Sequence, residues 1–280
     1  MSPTAMTEVI AVIKSEAAQL GDFCAALAPD AWATPSACAD WTVGDVFAHL
    51  TQGAHTWDAS LRRALQGDAQ PPAGEHSLRP GERGSEATAQ RAITFRQEMG
   101  PEGLLTAFTA GYAQFHQALL TVQAGDWERP CYHRRGNMTI SHYTILRLQE
   151  LLIHGWDIRS AFDPTATLSP ASVPLLAPCV ERWLRHAFRP TPALTGPLRY
   201  HFETAESALL PHDIVVSPEG LQLTSESTAR PDIILHCTAG DALLLIYGRL
   251  SFDRAVAQGW LDIVGEPAQA QLFPTLFQGF

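Results

Sequence analysis

The sequence predicts a mainly helical first part followed by a smaller α+β part. Three observations carry that prediction. Apolar residues recur at three- and four-residue steps through most of the first 190 residues. Pro190-Thr-Pro192 marks a change of texture. Beyond it, short strand-like runs separated by turn residues take over. A four-helix bundle over 1–189 and an α+β domain over 190–280 are therefore expected.

Thr7 to Leu27 sets Ile10, Ile13, Ala17, Leu20, Cys24 and Leu27 on one helical face, and Pro29 ends the run. A second helix follows Trp41, with Thr42 as N-cap and Asp45 three residues on, close to a capping box. It runs through His49 towards Leu65, before Gly67. Gln70 to Gly84, rich in proline, glycine and charge, reads as a loop. A third helical region covers Arg91 to Met99 and resumes after Gly100-Pro101, from Gly103 to Val122. Trp127 to Met138 is extended or turn-like, with Gly136-Asn137 as the turn. Ser141 is positioned to cap a fourth long helix through Ala161. A shorter helix fits Pro178 to Phe188, with proline tolerated in its first turn.

In the second part, strands are expected at Leu198–Glu203, Asp213–Val216, Leu221–Thr224 and Asp232–Cys237. Pro218-Glu-Gly220 forms the turn between two of them. Helices at Asp241–Tyr247 and Phe252–Ala257, a strand at Leu261–Val264 and a terminal helix complete the chain.

A net charge of −10, scattered arginines and a single lysine, Lys14, argue against a nucleic-acid surface, which needs clustered cations. Five cysteines without a repeated spacing and without a CxxC read as reduced thiols rather than a disulfide frame. No apolar run is long enough to span a bilayer, and no signal-peptide pattern opens the chain, so a cytoplasmic protein is expected.

The chemistry concentrates in Arg147-Leu-Gln-Glu150-Leu-Leu-Ile-His154-Gly-Trp-Asp157. On a helix, Glu150 and His154 lie one turn apart on one face. Such a pair is often just a solvated ion pair. Here Leu148, Leu151, Leu152 and Ile153 surround Glu150, and a carboxylate inside an apolar helix needs a partner or a metal. His49, far upstream, is the third candidate. Two histidines and one carboxylate make an open zinc site with a position left for water or substrate. Asp157 either holds the second ring nitrogen of His154 or pairs with an arginine such as Arg159. Asp45 is expected to cap its helix. Arg249 either binds a substrate carboxylate through its guanidinium fork or ends its helix as a dipole partner. Arg134 and Arg135 are read as surface charges or as contacts for an anionic ligand. Cys24 and Cys38 are read as core or loop thiols, and no cysteine sits in a motif that marks a nucleophile.

Trp41-Thr-Val-Gly-Asp45-Val-Phe-Ala-His49-Leu50 resembles the W-x-V-x-D-x-x-x-H-L signature of the DinB-like, mycothiol-dependent maleylpyruvate isomerase family. Glu150-Leu-Leu-Ile-His154-Gly-Trp-Asp157 is similar to that family's E-x-x-x-H-G-x-D signature. Asp241-Ala-Leu-Leu-Leu-Ile-Tyr-Gly-Arg249-Leu and Gly259-Trp-Leu-Asp262 resemble the sterol-carrier-like domain that often follows this bundle. The resemblance implies a DinB-like bundle, with His49, Glu150 and His154 binding a divalent metal, usually zinc. It also implies a small-molecule thiol such as mycothiol that adds to, or isomerises, a small electrophile. The alternative expectation is a binding module. In it the second domain holds an apolar ligand, with Leu243-Leu-Leu-Ile246 as its apolar segment, and the bundle's metal site is vestigial or structural.

Overall fold

The computed structural model describes residues 3–78, 85–204, 213–224 and 229–277, and everything below concerns these. The part of the expected 70–84 loop from residue 79 onward lies outside them. The chain divides into two compact units, Met1–Ala166 and Thr167–Phe280.

The first unit is a four-helix bundle of α1 (Pro3–Ala25), α2 (Val43–Leu65), α3 (Ser85–Leu120) and α4 (Ile140–Arg159). α3 and α4 each pack against both α1 and α2, so α2 and α4 are neighbours, which places the site. The apolar face expected for α1 is the buried one: Ile10, Ile13, Ala17, Leu20 and Cys24 all point into the core. Thr42 and Asp45 form a full capping box at the start of α2. The Asp45 backbone N–H donates to Thr42 Oγ1 at 3.2 Å, and the Thr42 backbone N–H donates to Asp45 Oδ2 at 3.0 Å. The other Asp45 oxygen takes the Arg96 Nε–H at 2.6 Å, which ties α2 to α3. Phe47 stacks on Phe108 with centroids 4.4 Å apart and meets Trp32 edge-on at 5.4 Å.

α3 is two helical stretches joined by a kink where the sequence breaks it. Gly100 takes φ 63°, ψ 174°, and Pro101 follows. An L side chain resists that backbone, while glycine does not. A two-stranded ribbon, β1 (Pro130–Cys131) with β2 (Met138–Thr139), leads into α4. The cap of α4 is Thr139 rather than Ser141: Thr139 Oγ1 accepts from the His142 backbone N–H at 3.2 Å. α4 is buried over most of its circumference.

The second unit is α+β. β3 (Leu198–Thr204), β4 (Asp213–Ser217), β5 (Gly220–Thr224), β6 (Ile233–Cys237) and β7 (Asp262–Val264) form one sheet in the order β5-β4-β3-β6-β7. β3 and β6 run parallel and the other pairs antiparallel. Strand alternation sets Leu198, Tyr200 and Phe202 into the core. There Tyr200 and Phe202 meet Phe273 at 5.3 and 5.4 Å. α5 (Ala177–Ala187), α6 (Ala239–Ile246), α7 (Phe252–Ala257), α8 (Pro267–Ala270) and α9 (Phe273–Leu276) complete the unit. The expected terminal helix is thus two short ones. Composition places α5 before the change at residue 190, yet it packs within the second unit. Trp183 stacks on Tyr247 at 4.1 Å, its Nε1–H donates to the Ile246 carbonyl at 3.0 Å, and the Arg189 N–H donates to the Leu276 carbonyl. Leu243 to Ile246 is buried as core of this unit. Among the described residues no helix is long and apolar enough to cross a membrane.

Candidate metal centre

The packing of α2 against α4 brings together side chains that are 101 residues apart in sequence: His49 Nε2 lies 3.2 Å from Glu150 Oε2. His154 Nε2, one turn along α4, lies 3.6 Å from the same oxygen. One ligand atom from each of the three falls within 4.8 Å of the other two. A tetrahedral zinc ion with bonds near 2.0–2.1 Å separates its ligand atoms by about 3.3 Å. The two short separations bracket that value, so two imidazole nitrogens and one carboxylate oxygen fit such an ion and leave a position open.

His154 is oriented through its other nitrogen. Nδ1 sits 2.8 Å from Asp157 Oδ2, and Asp157 is fully buried. That contact sets the proton on Nδ1 and leaves Nε2 facing Glu150. Arg159, the other partner open to Asp157, pairs with Glu16 at 3.8 Å. Trp41 covers the two rings, stacked on His154 at 6.2 Å and edge-on to His49 at 5.2 Å. It stands beside Asp40, whose φ of 65° is the one positive value outside glycine among the described residues.

The electrostatics follow from burial and pairing. On Glu150, burial opposes the charge, but hydrogen bonds to His154 and His49 and the Arg147 cation outweigh it and hold the carboxyl well below its usual range. On His49 burial prevails and lowers the pKa, with Glu150 acting against it. On His154 burial is outweighed by the hydrogen bonds to Asp157 and Glu150, and the pKa rises to about 9. The metal-free centre thus holds a carboxylate, a neutral His49 and a protonated His154.

Asp45, expected as a cap, is one. His55 is exposed. Arg134 is half-buried and donates to Thr88 Oγ1 at 2.6 Å. Arg249 lies in the second unit just past α6, where its backbone N–H donates to the Leu244 carbonyl at 2.8 Å. Cys38, read only as a core or loop thiol, lies with His154 and Asp157 in a second group whose ligand atoms fall within 4.8 Å of one another. Trp41 was legible as a motif position but carried no signal of its stacking role. Arg147 and Tyr112 gave no separate signal.

A DinB-like helical bundle with a two-histidine, one-carboxylate centre between two of its helices is the class that fold and site define. Residues 13–159 match the family model described as the mycothiol maleylpyruvate isomerase N-terminal domain, and the chain belongs to that family. Over both units its fold is that of a crystal structure of the mycothiol-dependent maleylpyruvate isomerase, at 14% identity and a TM-score of 0.61, covering 88% of this chain and 90% of that one. A His-to-Ala variant of that isomerase matches at 13% identity and TM-score 0.63, covering 93% and 94%. A sterol carrier protein 2-like 2 structure from Aedes aegypti is 19% identical over 35% of this chain and 92% of that one, with a TM-score of 0.28. No curated protein matches the chain significantly by sequence.

Proposed function

We propose that this protein is an enzyme that uses a small-molecule thiol, of the mycothiol kind, to isomerise or conjugate a small electrophile at a zinc centre held by His49, Glu150 and His154. The single observation that carries the reading is the convergence of these three groups, from two helices, to separations that suit one tetrahedral ion. Family membership adds the thiol and the isomerase chemistry. Zinc bound there supplies a Lewis acid that lowers the pKa of a thiol and favours the nucleophilic thiolate.

The chain's own residues do the rest. Asp157 holds the His154 ring by its Nδ1 proton, so that Nε2 is the nitrogen turned towards the ion's position once its own proton is lost. Trp41 shields one side of the imidazoles from water. The protein's buried thiols are poor competitors for the nucleophile's role, since burial pushes Cys24 and Cys131 up to about 12. A thiolate that adds to an activated double bond turns it into a single bond. Rotation and departure of the thiolate give the isomer, and protonation of the adduct gives the conjugate. For Arg249 the proposal is a charge that favours an anionic substrate. Its test is Arg249→Met, which should raise KM and leave zinc content unchanged.

The test of the whole reading is elemental analysis of His49→Ala and His154→Ala, with a thiol-dependence assay run with and without chelator. Both variants should lose zinc and thiol-dependent turnover together. Full zinc retention in both would overturn the assignment.

A further inference from the structure

Backbone contacts, rather than chance, place Cys38 beside the centre. It lies in the short loop before α2. There the Ala37 N–H donates to the Asp157 carbonyl at 3.2 Å and fastens the loop to the last turns of α4. Ser36 closes the loop: its hydroxyl donates to the Trp41 carbonyl at 2.8 Å and accepts the Cys38 N–H at 3.1 Å. The Trp41 N–H returns to the Cys38 carbonyl at 3.1 Å, with Asp40 in the left-handed region between them. The thiol so held is part-exposed and in no disulfide. One ligand atom from each of Cys38, His154 and Asp157 falls within 4.8 Å of the other two, and His154 is the one residue this group shares with the centre. Its Nε2 faces Glu150 and its Nδ1 faces Asp157, so the two groups lie at opposite edges of one imidazole.

We propose that Cys38 Sγ, His154 Nδ1 and the Asp157 carboxylate form a second cation position, which takes a thiophilic divalent ion such as cadmium and disables the centre by claiming its histidine. The position stands on these three residues; only its effect on the centre rests on the zinc site proposed above. The donor set selects by softness, because a thiolate favours softer ions than two imidazoles and a carboxylate do. Charge favours it as well. A thiolate and a carboxylate neutralise a divalent ion, so the filled position carries no net charge beside the fully buried Asp157. At the centre Glu150 alone answers the ion, with the Arg147 cation close enough to act on it. An ion on Nδ1 displaces the proton there, and a neutral imidazole then carries its single proton on Nε2. That proton, turned towards Glu150, leaves no lone pair for a metal at the centre. The two positions are therefore alternatives, and an ion at Cys38 inhibits.

The probe is cadmium alone, titrated into the metal-free full chain and followed by thiolate-to-cadmium charge-transfer absorption. The parent should develop this band. Cys38→Ala should abolish it, and His154→Ala should move it to higher cadmium. His49→Ala, which breaks the centre, and Cys237→Ala, which removes the other part-exposed thiol, should keep it. In the zinc-loaded parent, cadmium that fills the Cys38 position should release zinc, read by dialysis and elemental analysis. Cys38→Ala should hold its zinc at the same cadmium concentration. No band in the parent, a band that survives Cys38→Ala, or one that His154→Ala leaves unmoved would overturn the position. Loss of the band in His49→Ala would put the ion at the centre and overturn it too. Zinc retained in the parent beside a full band would overturn the exclusion of one ion by the other. Should Cys38→Ala not fold, the parent decides. Cadmium should protect Cys38 from iodoacetamide, read by peptide mass, and leave Cys237 reactive; equal labelling of Cys38 with and without cadmium overturns the proposal. Zinc kept in full by His49→Ala and His154→Ala, alongside a band that depends on Cys38, would instead refute the zinc centre and leave this position standing.

Discussion

Asp157→Asn tests the centre through a group that would not touch the ion itself. Asp157 Oδ2 lies 2.8 Å from His154 Nδ1 and is fully buried, and this contact, with Glu150, lifts His154 to about 9 against the opposing effect of burial. An ion at Nε2 needs a neutral ring, so zinc competes with a proton at every pH below about 9. Each pH unit below that value costs tenfold in apparent affinity, so the parent's affinity should rise roughly 100-fold between about pH 7 and 9. His49 adds no slope there, because burial keeps it below its ordinary value. In Asp157→Asn the amide oxygen still accepts the Nδ1 proton but no longer stabilises the imidazolium. The slope should then end at a lower pH than in the parent, since Glu150 alone is left to oppose burial. Weaker orientation and basicity lower the plateau by about 10- to 100-fold. The two proteins should therefore differ in zinc affinity by the whole 10- to 100-fold near pH 9, and near pH 7 the variant should have lost that deficit. Competition with a chromophoric chelator across this range measures both curves. Parallel curves, or a deficit greatest near pH 7, would refute the reasoning. Stability gives the same sign. A histidine whose pKa is raised in the fold contributes fully below about pH 6.5 and loses that contribution as pH rises through its folded value. The metal-free parent should thus lose on the order of 3 kcal/mol towards pH 9.5, a loss the variant escapes.

Two further outcomes follow from contacts outside the centre. Asp45→Ala removes both the capping acceptor and the Arg96 ion pair, and should lower the unfolding free energy by roughly 1–3 kcal/mol in denaturant melts, with zinc content intact. An unchanged denaturation midpoint would contradict that account. In the folded protein at mildly alkaline pH, iodoacetamide should spare Cys24 and Cys131, whose thiols burial pushes up to about 12, and modify the part-exposed Cys38 and Cys237 first. Early labelling of Cys24, read by peptide mass, would count against it.

What the sequence made legible was whatever repeats locally. The face of α1, the Thr42–Asp45 box and the breaks at Gly100-Pro101 and Pro218-Glu-Gly220 each depend on neighbours within a turn or two. The short 3-10 turn at Pro29–Ala33 was not legible, since five residues carry no period, yet it delivers Trp32 to Phe47. Thr139 won the cap of α4 over Ser141 because the β1–β2 ribbon ends there, a tertiary fact. The approach of Cys38 to His154 and of Trp41 to both imidazoles depends on how the segment before α2 folds over α4, and spacing along the chain does not record it.

The polar stripe of α4 joins these points. Arg147, Glu150, His154 and Asp157 follow at steps of three, four and three, so all four lie on one face of a helix that is buried over most of its length. Read as pairs, they suggest an ion pair and a ligand orienter. Read as one stripe, they form a line of charge along the wall between α2 and α4, opened by a cation and closed by a carboxylate. Water does not hold such a line together, because most of it is buried. Glu150 and Asp157 are answered by imidazoles. The guanidinium at the other end has ring faces for support and no acceptor for its Nε. A bundle optimised for stability alone would place an apolar residue there, since well-packed hydrophobic replacements of buried charges are often neutral or stabilising. Arg147→Met should therefore leave the melting temperature of the metal-free bundle unchanged or raise it, and a clear drop would show that the ring contacts outweigh the cost of the unmet charge.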